Sequence, residues 1–401
     1  MTPQPLAGVR VLDFCWMIAG PLTTRLLADL GAEVIKVESM ARVDRIREVG
    51  VQPPAPHAET NGVFNDCNTN KKSILLNLNH GRGIQLAKDL AAVSDVVTSN
   101  FTPDRMDRWG LGYEQLRAVN PGIIVASMPV MGTEGPHSGW RAVGNGVIAM
   151  AGLNAHSGFA NRAPVGLGTL HSDFTSPYFG ALAISAALHH RRKTGEGQFI
   201  ELAQYEATVH LLDTEPLEYL VNGHDPARHG NRSGRYAPHG VYRCAGEDRW
   251  IAIAVDTHNQ WLNLCRVLGL EGLTTRRELA TLEGRLTAAD EIDPAIEDRT
   301  ANCDTWALAN SLQAAGVPAS PVETVGDLVG RDPLGRSLFA EIDHPAGVSM
   351  LLQHEPITWN GERLPIERAP FLGEHTADVL GELLGLDEHA LADLAAEGVL
   401  S

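Results

Sequence analysis

The feature that most constrains this chain is the alternation of strand and helix signals over its first 130 residues. Val9–Phe14 reads as a buried strand, Pro21–Leu30 as a helix with proline at its start and Gly31 at its stop, and Glu33–Glu38 as the next strand. Ser73–Leu78, a helix around Gly83–Ala92 and Asp95–Phe101 repeat the pattern, and Gly122–Val130 adds another strand. Short apolar strands separated by helices argue for a mostly parallel sheet covered on both faces, an α/β fold. Ligands of such sheets sit at the carboxyl ends of the strands.

Further along, Asp173–Arg192 reads as a helix with Asp173 as its N-cap, followed by a strand Phe199–Ala203 and a helix from Tyr205 to Val221. The Gly/Arg/Asn-rich stretch Gly223–Gly240 reads as a boundary. Tyr242–Val255 reads as a hairpin turning at Gly246–Asp248, and helices fill residues 257–315. Val317–Val322 is a short strand, and two amphipathic helices follow Pro370. The expected division is 1–222, 223–316 and 317–401.

Charge narrows the function. The 401 residues carry 32 Lys/Arg and 49 Asp/Glu, a net −17, which disfavours nucleic acid and anionic membranes as partners. The charge is uneven: residues 1–200 hold 18 basic and 16 acidic side chains, the remainder 14 and 33. A near-neutral first half leaves room for a local anion site. Met1–Phe14 has no basic start followed by an apolar run, and no apolar run approaches about 18 residues, so neither a secretory leader nor a membrane span is expected. Five dispersed cysteines without a CxxC pair suit reduced thiols in the cytoplasm and provide no zinc site.

Three features carry chemistry. The turn Trp16–Pro21 joins a strand end to a helix start, and Gly20 lets a ligand approach the backbone closely. Basic residues Arg42, Arg45, Arg47, Lys71, Lys72, Arg105, Arg108 and Arg141 mostly lie near strand ends, where several can converge on a polyanion. Asp173 stands at a helix start, where the positive end of the helix keeps a carboxylate ionised as a nucleophile for acyl transfer. The same geometry also describes an ordinary N-cap. Gly144-Asn-Gly146 and Gly166-Leu-Gly168 do not complete GxGxxG, and no Walker lysine, HExxH or GxSxG is present.

The opening LAGVRVLDFCWMIAGPLTTRLLADLGAEVIKVE resembles the start of the family III CoA-transferases. NKKSILLNL, SNFTPDRMDRWGLGYEQLRAVNPGIIVASMP, SDFTSPYFGALAISAALHHRRKTGEGQFIELAQYEA, APHGVYRCAGEDRWIAIAV and APFLGEHT follow in the family's order. The resemblance implies a Rossmann-like large domain built from both chain ends, an inserted small α+β domain and an interlocked dimer. It implies Asp173 as catalytic nucleophile, working through an aspartyl–acyl anhydride and an aspartyl-CoA thioester. The CoA-holding segments of the family match Met17, Ile18 and Ala19, Ser73 to Leu75, Asn100, Phe101, Arg108 and Arg141. Arg45 and Arg47 lie where other members place a phosphate-binding base. No tightly bound cofactor is implied: CoA thioesters enter as substrates, with a small carboxylic acid as the second partner.

Two alternatives accompany the resemblance. The α-methylacyl-CoA racemases share the fold but use a His–Asp pair, which Arg141–Gly146 lacks. The chain could also be the catalytic subunit of a heteromeric CoA-transferase rather than a homodimer. The loop Gly230–Tyr236 has fewer glycines than the family's site-covering run, and its Arg232 or Arg235 is a candidate for a substrate carboxylate.

Overall fold

The computed structural model describes residues 4–48 and 58–401, so the first residues of the Met1–Phe14 stretch read above lie outside it. β1 (Arg10–Asp13), α1 (Ala19–Asp29) and β2 (Glu33–Glu38) open the chain. After α2 (Gly62–Cys67) come β3 (Lys72–Leu75), α3 (Gly81–Ala92), β4 (Val96–Ser99), α4 (Arg105–Arg108), α5 (Tyr113–Val119) and β5 (Ile124–Ser127). Then follow α6 (Gly144–Met150), α7 (Leu153–His156), the 24-residue α8 (His171–Thr194), β6 (Phe199–Glu201), α9 (Gln204–Val209) and α10 (Glu215–Asn222). The six strands form one parallel sheet in the order β3-β2-β1-β4-β5-β6. That is the order of a doubly wound dinucleotide-binding sheet, which reverses direction between β1 and β4.

Successive strand residues feed opposite cores, which is why adjacent strand positions such as Val11 and Leu12, or Val34 and Ile35, are both apolar. Leu12, Ile35, Val97 and Val125 point into one cluster with Leu86 and Leu90 of α3 and Leu116 of α5. Their neighbours Val11, Val34, Val96 and Ile124 point into the other, with Leu27 of α1 and Ile184 and Ala187 of α8. α8 lies tightly on α1 because position 180 has no side chain. A Cβ on Gly180 would come within 2.9 Å of Thr23 Cγ2 and 3.1 Å of Met128 Sδ.

The edge strand β3 is covered by the C-terminal segment. The Ser73 carbonyl accepts the His375 main-chain N–H at 2.9 Å, the Ser73 N–H donates to the His375 ring Nδ1 at 3.3 Å, and the Leu75 N–H donates to Thr376 Oγ1 at 3.0 Å. Such cover leaves the sheet edge no template for another strand. Helices Thr376–Leu384 and Glu388–Ala396 bring Val379, Leu380 and Leu394 into the same core as Leu12. The sequence signals missed β10 (Phe339–His344) and β11 (Val348–Gln353), an antiparallel hairpin.

Among the described residues the chain divides into two compact units. One runs through Ala155 and takes Gly166–Asp225 and Ser337–Ser401; the other takes His156–Val165 and Pro226–Arg336. In the second unit, β7 (His239–Arg243), β8 (Trp250–Ala254) and β9 (Ala319–Pro321) form an antiparallel sheet over a core that includes Ile251, Ile253, Trp261 and Leu312. Because β9 pairs with β8, residues 317–336 belong to this sheet's unit, later in the chain than the division expected at 317.

The expected helix Tyr205–Val221 is broken. α9 ends in a 3-10 turn, His210–Leu212, Asp213 adopts φ 54°, and α10 restarts with Pro216 at its second position. A proline at 216 has no N–H to give and its ring clashes with the carbonyl four residues back, which favours a break before it.

Candidate active site

The β1–α1 turn rests on a buried ionic lattice. Asp13, at the end of β1, accepts from Thr24 Oγ1 at 2.7 Å, Thr98 Oγ1 at 3.0 Å, the Cys15 N–H at 2.9 Å and Lys71 Nζ at 3.2 Å. Burial raises its pKa, but Lys71, Lys36 and these hydrogen bonds lower it more, holding the carboxyl below the usual range. Lys36, also fully buried, donates to the Cys15 carbonyl at 2.6 Å and to Asp44 at 3.2 Å. Asp44 in turn accepts the Met17 N–H at 3.1 Å. Met17 has φ 66°, a left-handed conformation unusual outside glycine that costs of order 1–3 kcal/mol and is held by its surroundings. Gly20 packs where a Cβ would come within 2.9 Å of Asn100 Cγ.

Above this lattice, at the point where the strand order reverses, lies a cleft of about 540 Å³. Trp16, Phe101 and Trp109 form an edge-to-face ladder with centroids 5.4 and 5.6 Å apart. Arg42 stands over Trp16 at 5.2 Å and Arg105 over Trp109 at 5.4 Å. Arg141 and Met17 complete the rim. Three guanidinium groups among aromatic faces can take a ligand that is both multiply anionic and planar in part.

Asp173 is not an N-cap. α8 begins two residues earlier, at His171, with Leu170 at the cap and no side-chain bond, so Asp173 falls inside the first turn. Its carboxylate is therefore available for another partner. Oδ1 accepts from Gln204 Nε2, the first residue of α9, at 2.5 Å. Oδ2 lies against Gly144, the first residue of α6, where any Cβ would collide with it. Burial raises the Asp173 pKa and the Gln204 bond partly offsets this, leaving it above the usual value of 3.8. Gly144 is three residues from Arg141, a span of at most about 10 Å of extended chain, so the carboxylate and the cleft are within reach of one flexible ligand.

The structure sorts the remaining candidates. Met17, Asn100, Phe101 and Arg141 line the cleft. Ala19 opens α1, and Ile18 is buried against Ile46 and Phe64. Ser73 is buried and donates to Glu38 at 2.7 Å; Leu75 lies on β3 against Gly373. α4 turns Arg105 rather than Arg108 to the cleft, and Arg108 is exposed. Arg45 is also exposed and is not among the residues lining the cleft. Arg47 is fully buried, its guanidinium bound to Glu38 at 2.7 Å and to Glu59 and lying 3.6 Å over Phe64. Lys71 belongs to the Asp13 lattice and Lys72 pairs with Glu33 at 2.6 Å, so neither joins an anion site. Arg232 is paired with Asp290 and Asp293, both at 2.8 Å. Cys15, Cys67, Cys244 and Cys265 are buried free thiols, and burial pushes the Cys67 thiol up to about 12.

Sequence reasoning named Trp16 only as the first residue of the turn, without a role for its ring, and did not single out Trp109, nor Gln204 and Gly144 as neighbours of Asp173. The two tryptophans flank motif residues, which was a usable signal; nothing in one sequence marks Gln204. Among the described residues no group of His, Cys, Asp and Glu has the makings of a metal site, and no helix is long and apolar enough to cross a membrane.

The chain is 33% identical to the succinyl-CoA–D-citramalate CoA-transferase of Chloroflexus aurantiacus, over 99% of this chain and 98% of that protein. It is 31% identical to the succinyl-CoA:glutarate CoA-transferase of Mus musculus, over 99% and 90%. A crystal structure of a CaiB/BaiF family protein from Brucella suis superposes with a TM-score of 0.85 at 32% identity, covering 95% of this chain and all of that one. Residues 6–376 match the family model described as CoA-transferase family III, and the chain belongs to that family of enzymes.

Proposed function

We propose that this enzyme moves CoA from an acyl-CoA thioester to a free carboxylic acid with Asp173 as covalent nucleophile. The observation that carries the reading is the Asp173 carboxylate itself. It stands in the first turn of α8, is not used as a cap, has one oxygen held by Gln204 and has the other over side-chain-free Gly144. Asp173 attacks the donor thioester carbonyl, the C–S bond breaks, and CoA leaves as thiolate from a mixed anhydride. The thiolate attacks the aspartyl carbonyl and the donor acid departs as carboxylate, leaving an aspartyl-CoA thioester. An acceptor carboxylate attacks that thioester, and the same two steps run in reverse. Thioester energy is kept in covalent intermediates while the cleft holds CoA, and orientation of this kind is worth up to about 7–11 kcal/mol.

The cleft is the CoA site in this reading, with Arg42, Arg105 and Arg141 toward phosphates and the tryptophan faces toward the adenine. Succinyl-CoA is the donor of choice and a dicarboxylic acid the acceptor class, by likeness to the two relatives above. The partner of Asp173 is an amide, which is no base, and Arg141–Gly146 contains neither acid nor imidazole. This favours CoA transfer over racemisation, which needs a second base. Two copies interlock in this reading, and Leu182, Leu217, Leu220 and Val221, each more than half exposed, are the apolar surface offered for it.

Asp173→Ala tests the reading. The variant is expected to melt like the wild type and to exchange no CoA between succinyl-CoA and dicarboxylic acids. Retained turnover would overturn it.

A further inference from the structure

We infer that Gln204 is a positioning residue for CoA transfer: its carboxamide N–H orients Asp173 through Oδ1 and supports that oxygen whenever a nucleophile attacks the aspartyl Cγ. The inference rests on Asp173 being the nucleophile. Facing a carboxylate, only the NH₂ end of the amide makes a favourable contact, which fixes the orientation of the Gln204 side chain. The side chain is buried, 7% exposed, and braced at both ends. Its main-chain N–H donates to the Pro129 carbonyl at 3.2 Å. Its Nε2 also lies 3.4 Å from Ser172 Oγ, and that hydroxyl donates to the Gly144 carbonyl at 3.2 Å. The starts of α6, α8 and α9 thus meet on one carboxylate.

This arrangement gives the two oxygens different duties. Oδ2, on the side left open by Gly144, forms the bond to the donor acyl carbon and becomes the bridging oxygen of the anhydride. Oδ1 becomes the aspartyl carbonyl oxygen, already under the Gln204 N–H. When the CoA thiolate attacks Cγ, the carbonyl π electrons move onto Oδ1. They return as the Cγ–Oδ2 bond breaks, and the donor acid leaves as carboxylate carrying Oδ2. Acceptor attack on the aspartyl-CoA thioester loads Oδ1 in the same way, with thiolate as leaving group. A donor placed in advance on the oxygen that gains charge is the arrangement that lowers such barriers. The first attack, on the donor thioester, instead draws charge away from Oδ1 and gains nothing from the bond.

The test uses Gln204→Met and Gln204→Leu in the full chain with succinyl-CoA and a dicarboxylic acceptor on which the wild type turns over. Either replacement is expected to lower kcat by about 10²–10³-fold, the scale for losing one oxyanion donor, with KM for succinyl-CoA unchanged. The acid limb of the kcat profile is expected to move to higher pH, because the ionised carboxylate has lost a donor. Quenched-flow mass spectrometry is expected to show the aspartyl-CoA thioester forming slowly in the variants. A wild type that forms an Asp173 adduct, with folded variants matching it in rate and pH limb, would overturn the role of Gln204. A wild type that turns over without any adduct at Asp173 would overturn the nucleophile reading instead.

Discussion

Asn100 holds the backbone of Trp16 from both sides: its Oδ1 accepts the Trp16 N–H at 2.9 Å, and its Nδ2 donates to the Trp16 carbonyl at 2.8 Å. These two bonds join the carboxyl ends of β1 and β4 where the sheet reverses direction, and they fix the ring that floors the cleft. Asn100→Ala is expected to cost about 1–3 kcal/mol, two net hydrogen bonds at about 0.5–1.5 each. KM for acyl-CoA is expected to rise more than kcat falls. Urea unfolding and steady-state kinetics measure both; unchanged KM would remove the turn from the binding account.

Lys71 and Asp13 form a fully buried ion pair. Lys71→Met removes the ion-pair partner of a buried carboxylate, and unfolding is expected to become easier by about 3–5 kcal/mol. Lys72→Met, one residue along and on the surface, is expected to change stability by less than about 0.5 kcal/mol. The Asp13 pKa is lower in the folded chain than in the unfolded one. Its contribution is therefore present above the unfolded value and is lost as pH falls through the folded one. Denaturant titrations of both variants at neutral and acid pH separate these cases.

Arg42 and Arg105 face the cleft, whereas Arg45 does not. Arg42→Ala and Arg105→Ala are each expected to raise KM for acyl-CoA roughly fivefold, about 1 kcal/mol, by losing both charge and stacking. The effect is expected to shrink with added salt. Arg45→Ala is the control, and an equal effect from it would place the phosphates outside the cleft.

Glu355 provides a pH signature of the fold. Burial pushes its carboxyl up to about 7, with Arg25 opposing and Asp29 and Asp66 adding to the rise. The folded chain therefore keeps this proton between 4.5 and about 7 while the unfolded chain releases it, so its contribution to stability falls as pH rises across that window. Glu355→Gln is expected to flatten the dependence of Tm on pH there and to raise Tm at pH 8 relative to the wild type. An unchanged slope would contradict the assignment.

The parallel sheet was legible because short strand signals rich in Val and Ile alternate with helix signals, and Glu33–Glu38, whose apolar residues are Val34, Ile35 and Val37, is placed to the residue. The hairpin β10–β11 was not, because its exposed face interrupts the apolar signal with Glu341, Asp343 and Ser349. The start of α8 was placed two residues late because the helix has no side-chain cap to announce it. Arg47 and Lys71 were grouped with anion-binding cations because sequence spacing does not reveal burial. The carboxylate that pairs with Lys71 lies 58 positions away, at Asp13. The proposal of Asp173 as nucleophile starts from the family resemblance, since its helix-start position alone also fits a cap. Its contacts with Gln204 and Gly144 join three helix starts 31 and 29 residues away from it, a relationship only the folded chain displays.

The central claim is a covalent bond between CoA and the Asp173 carboxylate. Incubation with succinyl-CoA, trapping by hydroxylamine or borohydride and peptide mass spectrometry measure it directly. The account predicts the hydroxamate or the reduced alcohol on the peptide containing Asp173, and none in Asp173→Ala. Verified turnover with Asp173 unmodified, or with the label on another carboxylate, would contradict it.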